Sequence, residues 1–403
     1  MKSTVTVRKD TPADRLRSQH GTDVDWERLR QEFPLLDRCI YFNACSLGPL
    51  PRAGMQALRE YGRVWDRDGT VVWFTEWMPL LERLRSLVGQ LLHAPSGTIA
   101  LAPSASVALM IMASSLLRRT TRRKVLIGEL DFPTVGHQFL SRPDVTVEFV
   151  KSEDGVGVSP QAFAVRIDQD TALVATTHLT YATGCLQDVR SLVQVAHEKG
   201  AMVLVDGYHT VGCLPIDVGD LGCDVFVGGS LKWLSGGPGT AFIYCRPELI
   251  PELQPVGTGW LGTKDFLTFS LQELQYAEDA RRFEGGTWAM PSHFVAAAAL
   301  QLILDVGVDR ISERLRDFTG RILDRCQAEG IATSTPVERE RRCGIVSLHC
   351  ERPEIVERAL REDGVIVDSR PGLLRLSPHW ALRPEELDRG LDLVVNRMAM
   401  ARA

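Results

Sequence analysis

Between residues 97 and 245, short apolar runs rich in β-branched residues alternate with longer segments of helical periodicity. Strands that are apolar on both faces need helices on both sides, so the pattern prescribes an α/β fold with a mainly parallel central sheet. The predicted strands are 98–102, 125–127, 145–150, 172–176, 202–206, 224–227 and 241–244, with helices over 106–119 and 189–199. Gly200 follows the second helix as a C-cap should. Two of the strand runs end in a charged residue near glycine. Met202-Val203-Leu204-Val205 runs into Asp206-Gly207, and Val225-Phe226-Val227-Gly228-Gly229 into Ser230-Leu231-Lys232. Two such strands place an acid and an amine at the same edge of one sheet.

Beyond about residue 305 the pattern changes to helix 311–329, strand 344–350, helix 353–363, short strands near Val365 and Leu374, and helix 384–398. That order describes a compact α+β unit. A protein of 403 residues is too long for one small core. The expected organisation is an N-terminal segment 1–38 packing on the small domain or on a partner subunit, a large domain 39–300 and a small C-terminal domain 301–403.

Composition removes several classes of function. A net charge of −5 offers no basic footprint for nucleic acid. No apolar stretch is long enough to span a bilayer, so no membrane is expected. Met1 to Asp25 is polar, without the apolar core of a secretory signal. The nine cysteines show neither CxxC pairs nor metal-ligand spacing, and read as reduced thiols of a cytoplasmic protein with no metal site. The glycine cluster Gly236-Gly237-Pro238-Gly239 has the spacing of neither a Walker loop nor a dinucleotide fingerprint, and neither GxSxG nor HExxH occurs.

Lysine usage sharpens the opening pattern. Of only seven lysines, Lys232 alone lies in an apolar, glycine-rich setting, where an ammonium is costly. A lysine snorkelling from a strand end is the ordinary alternative. Paired with Asp206, however, it supplies what pyridoxal phosphate chemistry requires: an amine for the Schiff base and a carboxylate that keeps the pyridine nitrogen protonated. Ser104, Ala105 and Ser106 stand between a strand and a helix, where free backbone N–H groups and the helix dipole suit a phosphate. The same serines also suit a plain N-cap. Phe132, in Asp131-Phe132-Pro133-Thr134, is placed to lie on a cofactor ring or to fill a turn. His209 is placed to bond the ring hydroxyl or to orient Asp206, with a purely structural histidine as the ordinary alternative. Arg375, within Leu373-Leu374-Arg375-Leu376, suits either a bidentate grip on a carboxylate or a surface ion pair.

At these residues the chain resembles the fold-type I pyridoxal phosphate enzymes of the class V aminotransferase family. Within it, the kynureninase-like and isopenicillin N epimerase-like branches are nearest. The resemblance runs from Ile40-Tyr41-Phe42-Asn43 to Arg375-Leu376-Ser377-Pro378-His379. Further support comes from Asn43-Ala44-Cys45-Ser46-Leu47-Gly48-Pro49-Leu50-Pro51, Thr180-Tyr181-Ala182-Thr183-Gly184, Gly259-Trp260-Leu261-Gly262 and Phe283-Glu284-Gly285-Gly286-Thr287. It implies a large pyridoxal phosphate-binding domain and a small α+β domain. Lys232 is then the Schiff-base lysine, Asp206 the pyridinium partner and His209 the neighbour of the ring hydroxyl. Phe132 and Tyr181 contact the cofactor, and Ser104, Ala105, Ser106 and Ser230 form the phosphate cup. Trp260 and Thr287 match positions that reach the phosphate of the other subunit, which implies a homodimer with shared sites. Arg375 holds the substrate carboxylate, with Asn43 nearby.

The departures from that pattern bear on the reaction. Cysteine desulfurases of this fold carry a cysteine just before the carboxylate arginine, whereas no cysteine follows Cys350 here. Kynureninases place a tyrosine before the lysine and an aspartate after Phe-Pro-Thr; this protein has Leu231 and Val135. The epimerase-like branch has histidine before the lysine, also absent. The expected activity is therefore a lyase in amino-acid or secondary metabolism that eliminates a β-substituent or cleaves a side-chain bond of an α-amino acid. Transamination, epimerisation and oxidative decarboxylation would use the same residues. A non-catalytic pyridoxal phosphate-binding protein is the alternative of a different class, which loss of Lys232 or Asp206 would have favoured.

Overall fold

The structure, a computed structural model, describes residues 24–402. The expectations for the first 23 residues, including the absence of a secretory signal, lie outside the described residues. The central sheet contains β1 (Ile99–Ala102), β2 (Lys124–Gly128), β3 (Thr146–Val150), β4 (Thr171–Thr177), β5 (Met202–Asp206), β6 (Val225–Gly229) and β7 (Ala241–Cys245). Their order across the sheet is β1-β7-β6-β5-β4-β2-β3. The ladders among β2 to β6 are parallel, while β7 runs antiparallel to both β6 and β1. The sheet is thus mainly parallel, as its unbroken apolar strands demand. All seven strands lie within two residues of the positions that the sequence indicates.

Side-chain alternation divides the sheet between two apolar layers. Leu126, Val174, Val203, Val205 and Phe226 face one layer. Val125, Ile127, Leu173, Ala175, Leu204, Val225 and Val227 face the other, where helix α1 (Ala105–Arg118) packs with Leu109, Met112 and Leu116. On the first face lies helix α2 (Val189–Glu198), capped at its start by the Asp188 carboxylate accepting from Ser191 N.

Helix α3 (Met290–Val306) has no counterpart in the sequence expectations. It is buried nearly all round, so the polar face that reveals a helical period is missing. It packs against two further helices, Arg52–Asp68 and Met78–Leu92. Gly307, at φ 93°, separates it from the helix Val308–Ala328. A change of direction there needs a residue free of a Cβ.

Towards the C-terminus a second, smaller sheet joins β8 (Val346–His349), β9 (Asp368–Arg370) and β10 (Leu373–Leu376) in the antiparallel order β9-β10-β8. The first described residues lie against the C-terminal helix Pro384–Arg402. Arg30 bonds both oxygens of Glu386 at 3.1 and 2.7 Å, and the Phe33 ring meets Trp380 edge-on at 5.2 Å. No described helix is long and apolar enough to cross a membrane.

Close packing at the end of β5 yields a direct test. A Cβ on Gly207 would stand 1.8 Å from Phe226 Cζ. Overpacking of this kind costs about 1–3 kcal/mol. Gly207→Ala is expected to lower the midpoint of thermal denaturation by several degrees; an unchanged midpoint would contradict the packing described.

Candidate active site

The site forms where β4, β5 and β6 end. Asp206, the last residue of β5, lies opposite Thr177 of β4 and Val227 of β6. Lys232 sits on the turn beyond β6. That turn is fixed by Ser230 N donating to Thr240 O (3.0 Å), Gly236 N to Ser230 O (2.7 Å) and Ser235 N to Lys232 O (2.9 Å). A loop from the N-terminal part of the protein seals it, with Gly48 N donating to Leu231 O at 2.9 Å. Only glycine fits there, because a Cβ on Gly48 would be 2.0 Å from Lys232 O. The same loop reaches the small sheet: Ala44 N donates to Ser377 O at 3.0 Å and Cys45 N to Ser377 Oγ at 3.2 Å.

These elements enclose a cavity of about 320 Å³. Of the residues singled out in the sequence, Ser104, Ala105, Ser106, Phe132, Tyr181, Asp206, His209, Lys232 and Arg375 line it. Asn43, Ser230, Trp260 and Thr287 do not. Asn43 lies behind the wall, its Nδ2 donating to Val367 O (3.4 Å) and its Oδ1 buried without a partner. The Ser230 hydroxyl donates to backbone oxygens of Gly237 and Thr240. Trp260 stacks on Phe269 at 5.9 Å, and Thr287 is exposed. The lining also includes Cys45, Ser46, Leu109, Thr134, Tyr208, Leu231 and Arg370. Thr134 and Tyr208 adjoin residues already marked by the sequence. Arg370 stands two residues from Asp368 on one strand face, a spacing that could have revealed it.

Burial controls the protonation of the site. The Lys232 residue keeps some exposure to the cavity, but its amine is closely surrounded by protein atoms. Burial pushes that amine down to about 7, with the charges of Arg375 and Arg370 acting in the same direction. Its Nζ lies 2.5 Å from His209 Nε2 and 4.9 Å from the Tyr208 ring centre. His209 is held well below the usual histidine range, by burial first and by the charge on Lys232 second. Two bases so depressed are both largely neutral above pH 7, leaving one lone pair free to accept a proton. Burial raises the Asp206 carboxyl, an effect opposed by the Tyr208 N–H on its Oδ1 (2.9 Å) and by Lys232. Its Oδ2 has no protein partner among the described residues.

The walls fit the cofactor that the sequence indicates. Ser104 caps α1 by accepting from Val107 N at 3.3 Å, and its carbonyl accepts from Ala108 N. The amides of Ala105 and Ser106 have no protein acceptor among the described residues, so the Ser104 cap leaves them free for a phosphate. Phe132 stands edge-on to Tyr181 at 5.3 Å, with its ring 5.8 Å from Lys232 Nζ. His209 Nδ1 is buried without a partner. An unpaired acid oxygen, an unpaired imidazole nitrogen, a neutral amine and a helix N-terminus are the groups that a pyridine ring bearing an aldehyde, a hydroxyl and a phosphate would engage.

Arg375 is 1% exposed and already partnered. Its Nη1 donates to Tyr181 O at 2.5 Å and its Nη2 to Ser46 Oγ at 2.8 Å; Nη2 also pairs with Asp368. The open guanidinium fork expected from the sequence is therefore partly occupied by a neighbouring carboxylate.

Known proteins resemble this one along most of its length. The family profile described as aminotransferase class-V matches residues 49–379. An uncharacterized aminotransferase of Bacillus subtilis, YcbU, is 30% identical over 369 residues, which cover 91% of this protein and 96% of that one. A kynureninase of Pseudomonas fluorescens is 30% identical over 373 residues, spanning 86% of both proteins. The cysteine desulfurase of Thermococcus onnurineus superposes with a TM-score of 0.83 at 21% identity, covering 93% of this protein and 98% of its own length. A lysine-to-alanine variant of C-DES, with glycine covalently linked to its pyridoxal phosphate, gives 0.84 at 20%, covering 91% and 99%. At such identities these two structures establish the fold.

The depressed amine predicts a pH dependence. Below about pH 7 Lys232 is protonated and unreactive; above it the free amine is nucleophilic. Competitive acetylation of the cofactor-free protein, read by peptide mass spectrometry, should give Lys232 a midpoint near pH 7. Lys264, whose ion pair with Glu278 raises it, should titrate above the ordinary lysine range. Coincident midpoints for the two would contradict the burial argument.

Proposed function

The chain belongs to the class V aminotransferase family and is a pyridoxal phosphate-dependent enzyme, and from that premise we propose that it is a lyase expelling a substituent from Cβ of an α-amino acid. The observation that carries this reading is the scarcity of carboxylates in the cavity. Among the described residues that line it, Asp206 is the only carboxylate. Elimination needs one base at Cα, which Lys232 supplies. Hydrolytic cleavage of a carbon–carbon bond within the substrate's side group needs in addition a residue that activates water near Cβ or Cγ. Leu231 and Leu109 contribute only apolar surface to the wall. The reading thus departs from the kynureninases, whose names imply kynurenine as substrate.

Each residue has a task in this reading. The amides of Ala105 and Ser106 would hold the phosphate at the N-terminus of α1. Phe132 would back the ring, Asp206 would pair with the ring nitrogen and His209 would orient the ring hydroxyl. Bound there, pyridoxal phosphate supplies an aldehyde that condenses with amines and a cationic ring that withdraws electrons from bonds at Cα. Arg375 fixes the side of the cavity on which the substrate carboxylate lies. Lys232 Nζ, neutral above about pH 7, takes the proton from Cα, and His209 Nε2 beside it keeps the amine aimed into the cavity. Burial strengthens each of these interactions because water is largely displaced.

The proposal includes a homodimer. Trp260 and Thr287, away from the cavity of their own subunit, would complete the phosphate site of a second copy. Exposed Leu267, Phe269, Leu271 and Leu274 on the connecting loop supply apolar area for that contact. The nine cysteines, seven of them buried, form no disulfide among the described residues and suit a reducing compartment such as the cytoplasm.

Product analysis tests the reaction. With S-substituted cysteines the protein should release pyruvate and ammonia in equal amounts. Lys232→Ala should lower that rate by about a hundred- to ten-thousandfold. A keto acid that retains the whole substrate skeleton, formed without ammonia, would instead assign transamination.

A further inference from the structure

The hairpin that carries Arg375 presents a second guanidinium to the same cavity. In the pairing of β9 with β10, Asp368 lies opposite Arg375, Ser369 opposite Leu374 and Arg370 opposite Leu373. Side chains two apart on a strand share a face, so Asp368 and Arg370 stand beside Arg375 while Ser369 turns the other way, to Glu357. Pro371 and Gly372, the latter at φ 73°, close the hairpin tightly directly after Arg370.

An inventory of donors separates the two arginines. Both Nη2 hydrogens of Arg375 are engaged, by Ser46 Oγ and Asp368, and one Nη1 hydrogen goes to Tyr181 O. Its Nε is buried without a partner. Neither edge of this guanidinium therefore keeps the two free N–H groups that a bidentate carboxylate needs. Arg370 uses only Nη1, which donates to Asp368 Oδ1 and to Ser369 O, each at 2.7 Å. Its Nε and Nη2 have no partner among the described residues, and the residue lines the cavity. That edge is complete.

Charge points the same way. Asp368 is tied to both guanidinium groups and to the Ser46 hydroxyl (3.1 Å). Two arginines and one aspartate leave one unit of positive charge, which one carboxylate neutralises. Arg370 and Arg375 also both help to hold the Lys232 amine below its usual range, so both lie near the reacting end of the cavity.

We propose that the substrate α-carboxylate is gripped by the Nε–Nη2 edge of Arg370, with Arg375 as a second, deeper contact and Asp368 as the positioning residue that spaces the two arginines. This rests on the reading above, in which the cavity takes an amino acid beside the cofactor. Arg370 would then be what selects amino acids over simple amines, and the single net charge limits the grip to one carboxylate.

The test uses two stable adducts that differ only in the carboxylate: N-(5′-phosphopyridoxyl)-L-alanine and N-(5′-phosphopyridoxyl)ethylamine. Their binding to the cofactor-free full-length protein is measured by calorimetry. The wild-type protein should favour the alanine adduct. In Arg370→Gln that preference should shrink by about tenfold or more, as expected for loss of charge-assisted hydrogen bonds. Affinity for the ethylamine adduct should stay unchanged, which also shows that the variant is folded. Arg370→Lys should recover only part of the preference, because an ammonium lacks the fork. An undiminished preference in Arg370→Gln would overturn the proposal and leave Arg375 as the sole clamp. Equal wild-type affinities for the two adducts would overturn it while leaving the cofactor site standing. Failure of both adducts to bind wild-type protein would overturn the cofactor-site reading as well.

Discussion

The parallel register between Met202–Asp206 and Val225–Gly229 governs the rest of the site. With Asp206 set opposite Val227, the acid emerges at the sheet edge from which the backbone runs on, in tight glycine-flanked turns, to Lys232. Shifting the strand pairing by one residue would invert every side chain of one strand and send Asp206 into an apolar layer. Val203 and Val205 face one of those layers and Leu204 the other, so burial on both sides holds the register in place. The chemistry thus depends on the same apolar alternation that builds the core.

Enclosure gives the two charged groups their character. An amine kept near 7 and a carboxyl raised by burial are costly in isolation and useful together, since each gains what bulk water would dilute. The enclosure itself is assembled from distant pieces. Gly48 closes on the lysine turn, and the same loop bonds to Ser377 just beyond Arg375. One N-terminal loop thereby ties the central sheet to the small one, and Arg370 and Arg375 are held against the same cavity as Lys232. Nearby, Asp131 sits buried with its carboxyl pushed up to about 7 by burial. It stitches β2 to β4 through Gly128 N (2.9 Å) and Thr177 N (2.8 Å), steadying the strand ends next to Asp206.

Much of this architecture is legible in the residue order, because periodicity and glycine placement are local properties. The seven strands of the central sheet, the Asp206–Lys232 edge and the serine-rich start of α1 all follow from runs of fewer than ten or so residues. Helix Met290–Val306 escapes such reading because it is apolar on every side, so its period is hidden. Cys45 and Ser46 escape because they reach the cavity only through the closure of a loop on remote strands. The partial occupation of Arg375 by Asp368 is likewise a tertiary fact, although the two-residue spacing of Asp368 and Arg370 already puts both on one face. Trp260 and Thr287 lie away from the cavity, and the role that the resemblance implies for them would require a second copy.

The most direct test of the central claim is chemical trapping at Lys232. The holoenzyme would be reduced with borohydride, digested and mapped by mass spectrometry. A phosphopyridoxyl group on the peptide containing Lys232, and on none of the other six lysines, is the predicted result. Labelling of a different lysine, or no labelled peptide from protein shown to contain the cofactor, would contradict the account.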